Sequence, residues 1–117
     1  MTIDNVKMLR EIALSLPEVI EAPHFEKTSF RVNKKIFTTV VAEHNRATVK
    51  LTPDEQDIFC TFNTEVIYPV PNKWGKQGWT HVNLQLVQRN MLTEILKTAY
   101  CGIAPKHLAA QITFEED

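Results

Sequence analysis

Two cysteines, four histidines and two tryptophans are the side chains of this 117-residue sequence with the most chemistry to offer. A thiol nucleophile or a metal centre needs partners at recognisable spacing. Cys60 and Cys101 form no Cys-x-x-Cys pair, and His24, His44, His81 and His107 are scattered with no i,i+4 pair. Each cysteine sits beside apolar residues, in "IFC" and "AYC", as reduced and buried small side chains do. Ser15 and Ser29 lack the Gly-x-Ser-x-Gly elbow that would expose a hydroxyl nucleophile. Asp54, Glu55 and Asp57 have the look of a helix start rather than an acid/base pair. "GKQ" fails as a phosphate loop, because Val70 stands where that motif needs glycine and Gln77 where it needs Ser or Thr. The expectation is a non-enzymatic protein with no catalytic residue, no metal site and no cofactor.

What remains is "YPVPNKWGKQGWT", Tyr68 to Thr80, which holds both tryptophans, two of the three glycines, two lysines and no acidic residue. Two roles fit Trp74 and Trp79. They could stack on a base or wedge into a groove, or they could fold the loop back over the sheet and cover an edge. Lys73 and Lys76 are either phosphate contacts or solvated turn residues, and the same choice holds for Lys34, Lys35 and Arg46.

Charge is unevenly placed in a chain whose net charge is only −1. Residues 31–50 carry Arg31, Lys34, Lys35, Arg46 and Lys50 against Glu43 alone. Residues 52–65 carry Asp54, Glu55, Asp57 and Glu65 with no cation. The whole-chain field gives no general attraction to nucleic acid.

The elements that must position these residues follow from periodicity and punctuation. Residues 4–15 read as a helix with Asp4 as N-cap and Val6, Leu9, Ile12, Ala13 and Leu16 on its apolar stripe. Pro17 stops it, and "PEVIEAPH" is a connector. "KTSFRV", "KIFTTVVA" and "RATVKL" are β-branched and aromatic, and make a three-strand meander with short turns at Asn33-Lys34 and at "EHN". Thr52, Pro53 and Glu55 spell a capped helix start, and that short helix is expected to bury Ile58, Phe59 and Phe62. "EVIYPV" and "WTHVNLQL" are two more strands, with "PNKWGKQG" as a wide hairpin loop between them; the proline inside "YPVP" marks either an edge strand or the last residues before the turn. Residues 88–101 form a helix with Met91, Leu92, Ile95, Leu96 and Ala99 inward and Gly102 as its stop. A short helix starts at Pro105, and "TFEED" frays.

The fold class is therefore α+β: one domain over residues 1–117, a two-layer sandwich of an antiparallel sheet of about five strands with helices on one face. The order is helix, three strands, helix, two strands, helix, helix. Alternation puts Arg31, Thr48, Lys50, Trp79, His81 and Asn83 on the open face. An aromatic among basic and amide side chains on an open sheet is a feature nucleic-acid readers use, since any base has a face to stack. The apolar runs are too short for a transmembrane helix, and "MTIDNVKMLREIA" has no signal-peptide core, so the expected location is the cytoplasm.

Three segments carry a family resemblance: "LPEVIEAPHFEKTSFRVNKKIF", "YPVPNKWGKQGWTHVNL" and "AYCGIAPKHL". Occurring in this order, they make the chain, from about residue 6 to 108, resemble the MmcQ/YjbR family of small bacterial proteins. The resemblance implies a CyaY/frataxin-like sandwich and a DNA-binding protein with a double-wing motif, the wings being β-hairpins. Here they are the hairpin around Asn33–Lys35 and the loop Asn72–Gly78. DNA contacts would come from Lys34, Lys35, Arg46, Lys73, Trp74, Lys76 and Trp79. The alternative is a protein-interaction module that uses the Trp-rich loop as a hot spot. Frataxin-like iron handling stands behind both, because the first helix offers only Asp4 and Glu11, interleaved with Lys7 and Arg10, rather than an acidic ridge. The oligomeric state is left open.

Overall fold

Pro17 closes the first helix and Pro105 the last long one, and between them the chain builds a single six-stranded sheet. The computed structural model describes residues 5–114. The elements are α1 (Asn5–Ser15), β1 (Ile20–His24), β2 (Lys27–Val32), β3 (Lys35–Val41), β4 (Arg46–Lys50), α2 (Pro53–Cys60), β5 (Ile67–Pro69), α3 (Lys73–Lys76), β6 (Trp79–Asn83), α4 (Arg89–Ile103) and α5 (Lys106–Ala109). A single 3-10 turn, Ala42–His44, joins β3 to β4. The strand order is β1-β2-β3-β4-β6-β5, antiparallel throughout.

Helices α1 and α4 lie on one face and supply Leu9, Ile12, Ala13, Leu92, Ile95, Leu96 and Ala99 to the core. The sheet answers with Phe30, Phe37, Val40, Val49, Ile67 and Val82. Tyr100 is fully buried. Its ring meets Phe37 edge-on at 5.7 Å, and its hydroxyl donates to the Pro17 carbonyl oxygen at 2.7 Å. Such a bond satisfies a polar group that burial would otherwise leave unpaired. The other sheet face carries no helix of the core layer, and this is the α+β sandwich expected.

Several local readings hold. Asn33 and Lys34 both have positive φ, 51° and 68°, as a tight two-residue hairpin turn requires. Thr52 and Glu55 make the reciprocal capping box. Pro69 lies in an edge strand. Its neighbour Ile67 donates its N–H to the Asn63 carbonyl oxygen at 2.9 Å, outside the ladder.

Others are corrected. The connector "PEVIEAPH" contains β1, so the sheet has six strands rather than five; Pro23 is tolerated within it because β1 is an edge. Ile58 and Phe62 are exposed, at 60% and 63%, and only Phe59 of the expected trio packs against the core; the buried residue of α2 is Gln56. The wide loop "PNKWGKQG" contains a turn of helix, α3, capped by Asn72. Helix α4 runs through Gly102 to Ile103, and Pro105 rather than the glycine ends it. Met91 is only partly buried. Cys60 and Cys101 are also partly buried and unpaired, with burial pushing both thiols above their usual range. The Asp4 cap and the acidic end of the tail lie outside the described residues. Thr113 and Phe114 are held by Lys97, which donates to the Thr113 carbonyl oxygen at 2.7 Å.

Candidate nucleic-acid interface

Antiparallel pairing sorts the open face into three rows. Ala22, Ser29, Thr39, Thr48, His81 and Tyr68 are successive cross-strand partners across all six strands. On one side of that row lie Ile20, Arg31 and Ile36, and then Lys50 opposite Trp79. On the other lie His24 opposite Lys27, and Val41, Arg46 and Asn83 as partners in turn. These rows contain Lys27, Arg31, Arg46 and Lys50 and not one Asp or Glu. In a chain of net charge −1 the acidic groups have been placed elsewhere. The alternation read for Arg31, Thr48, Lys50, Trp79, His81 and Asn83 holds, since all six are partly exposed while their sequence neighbours within the strands are buried.

The register also settles which tips share an end. Lys50 ends β4 and pairs with Trp79, which begins β6, while Lys35 begins the antiparallel β3. The Asn33-Lys34 turn and α3 therefore lie at one end of the sheet. Lys34, Lys35, Lys73, Trp74, Lys76 and Trp79 are brought to that end, and Arg46 stands at the opposite one. Four β4 steps separate the two ends, roughly 13 Å at about 3.3 Å per residue.

Segment 72–78 is folded tightly against the sheet. Asn72 Oδ1 accepts from the Trp74 N–H at 2.9 Å and starts α3. A side chain at Gly75 would run into the Val70 carbonyl, and one at Gly78, whose φ is +107°, into the Leu51 carbonyl. Gln56 reaches in from α2, with Nε2 2.9 Å from the Gly75 carbonyl oxygen and 3.1 Å from that of Trp79. Lys50 donates to the Gln77 carbonyl oxygen at 2.7 Å, and its ammonium stands 6.0 Å from the Trp79 ring centroid. Trp79 is thus held half-buried, while Trp74 is 50% exposed with Lys73 5.7 Å above its ring. Lys34, Lys35, Lys73 and Lys76 are exposed.

Between the two tryptophans and the strands lies a hollow of about 350 Å³. Its floor includes Thr39, Thr48 and His81, and His24 and Lys27 stand at its margin. His81 Nδ1 is 3.0 Å from Thr48 Oγ1, and Tyr68 meets the imidazole edge-on at 5.4 Å. Burial lowers the His81 pKa from 6.5 to about 4, helped by the positive charges of Arg46 and Lys27, so the ring is neutral at pH 7. Among the described residues no group of three or more His, Cys, Asp or Glu could hold a metal ion, and no helix is long and apolar enough to cross a membrane.

The family model described as YjbR matches residues 14–101. The chain belongs to the YjbR family. This YjbR chain is also similar in structure to Deinococcus radiodurans protein DR2400, which carries the family-model domain DUF419. The two are 22% identical, with a TM-score of 0.74 over 87% of this chain and 80% of that one, a likeness of fold. None of the curated proteins matches. Sequence reasoning singled out both tryptophans and the tip lysines, which the register brings to one end of the sheet. It missed Gln56, Lys27 and His24. Gln56 gives no signal in a helix whose apolar residues seemed the natural core, and the other two belong to the edge hairpin opened by the unread strand β1.

Proposed function

We propose that this protein binds DNA non-enzymatically through the open sheet face and the two basic tips beside it, acting in the cytoplasm on single strands ahead of duplex. One observation carries the reading: the three cross-strand rows hold four cations, a half-buried tryptophan and no carboxylate. Phosphate binding needs cations free of internal anions, and base stacking needs an exposed ring. Lys34 and Lys35 on one tip and Lys73 and Lys76 on the other would track the backbone, with Arg46 engaging it further along. Single strands are favoured because a paired base cannot reach an indole lying on a sheet. The alternative, a protein contact centred on Trp74, draws support from its 50% exposure.

Fluorescence anisotropy of labelled single- and double-stranded DNA, titrated with the protein at two salt concentrations, tests this. Five phosphate contacts on a single strand give a slope of roughly −3.5 in log K against log salt. Binding of that steepness, stronger for the single strand, supports the reading. No binding at low salt overturns it and turns attention to the aromatic protein contact.

A further inference from the structure

We propose that the hollow walled by Trp74 and Trp79 is a nucleobase pocket, which takes one unstacked base and reads its edge. This deepens the DNA reading and rests on it for a base presented by a strand; a free nucleotide offers the same chemistry. The hollow lies at the small end of the roughly 300–1,000 Å³ typical of small-molecule sites, which suits one planar ring system rather than an extended cofactor. Its walls are flat and aromatic, as stacking requires.

Its polar lining has capacity to spare. The Asn72 amide group uses Oδ1 on the Trp74 N–H, and its Nδ2 has no partner among the described residues. Thr39 Oγ1 and His81 Nε2 likewise have none, although all three residues line the hollow. Thr48 Oγ1 occupies His81 Nδ1, so Nε2 is the ring atom left for a ligand. A neutral ring offers a donor or an acceptor at Nε2 rather than a point charge, and so it can read the edge of a base. Lys27 and the pair Lys50 and Lys73 near the two indoles supply positive charge for the attached phosphate, and no carboxylate lines the hollow to repel it. Flat walls, unpaired edge-reading groups and flanking cations together describe a nucleotide.

The protein reports on this site by itself, because its two tryptophans both line the hollow. Tryptophan emission of the full chain is followed while each of the four deoxynucleoside monophosphates is added, then a short single-stranded oligonucleotide, then the same strand made abasic. Anisotropy is read in parallel. Saturable quenching by the base-bearing strand, with the abasic strand bound roughly 5- to 150-fold more weakly, is the expected result, since one stacked base contributes about that much. Trp74→Ala, at an exposed position, should bring the two strands to equal affinity. Thr39→Val should change the ranking of the four nucleotides. Equal binding of both strands overturns the pocket and leaves the DNA reading standing. Quenching by a mononucleotide with no strand binding supports the pocket, makes the free nucleotide its ligand and overturns the DNA reading. Absence of both responses overturns both.

Discussion

The side-chain amide of Gln56 lies 2.9 Å from the carbonyl oxygen of Gly75, across the gap between α2 and α3. The same nitrogen is 3.1 Å from Thr80 Oγ1, whose hydroxyl in turn donates to the Gly78 carbonyl oxygen at 2.9 Å. One buried amide therefore fixes the segment that carries Trp74. Gln56→Leu keeps the bulk and removes the donor, so the Gly75 and Trp79 carbonyl oxygens keep only their backbone partners, the Gly78 and Val70 N–H groups. A loss of about 1–3 kcal/mol is expected in a denaturant titration. Amide exchange at residues 75–78 should accelerate more than elsewhere.

The three glycines should respond in opposite directions to alanine. At Gly75 and Gly78 a methyl group meets backbone oxygen, and at Gly78 the positive φ adds strain. Each substitution should cost about 2 kcal/mol or more. Gly102 sits in α4 with nothing near its absent side chain. Gly102→Ala should stabilise the protein by about 0.5–1 kcal/mol, because it restricts the unfolded chain and favours helix. Thermal melts of the three variants check the pattern, and equal effects would contradict it.

His81 sets a pH dependence. Its folded pKa of about 4 lies below the unfolded 6.5, so the unfolded chain binds the extra proton first. The stabilising contribution is complete above pH 6.5 and is lost as pH falls from 6.5 towards 4. His81→Gln should flatten the stability curve over that interval when compared with the unmodified protein, and leave it parallel above pH 7. Parallel curves throughout would mean the imidazole titrates normally.

The tip lysines should matter for DNA and not for folding. Lys34→Ala with Lys35→Ala, and Lys73→Ala with Lys76→Ala, alter exposed side chains, and melts should stay within about 0.5 kcal/mol. Each pair should make the salt slope of DNA binding shallower by roughly 1–1.5. Arg46→Ala, at the far end of the sheet, should lower it by about half as much. An unchanged slope in both pairs would place the DNA path away from the tips.

Much of this architecture was legible from local rules. The Asn33-Lys34 turn, the Thr52–Glu55 capping box and the alternation in "WTHVNL" each depend on a few adjacent residues, and each holds. The errors share a different cause. β1 becomes a strand only because β2 lies beside it, and its proline hid that from a local reading. Ile58 is apolar and so reads as core, yet α2 turns Gln56 inward, where its amide bonds to the Gly75 and Trp79 carbonyl oxygens and to Thr80 Oγ1. The candidate residues were found by type, whereas their grouping at one end required the β3-β4-β6 register.

The outer side of β5 bears on what this protein cannot become. Val70 donates to the Trp79 carbonyl oxygen and Asn83 to that of Val66, so positions 67 and 69 direct their nitrogens away from the sheet. Ile67 has already given its hydrogen to Asn63, and Pro69 has none to give. A foreign strand arriving at this border finds no amide hydrogen to accept and only carbonyl oxygens to donate to, which disfavours a seventh row, amyloid-style templating and strand exchange there.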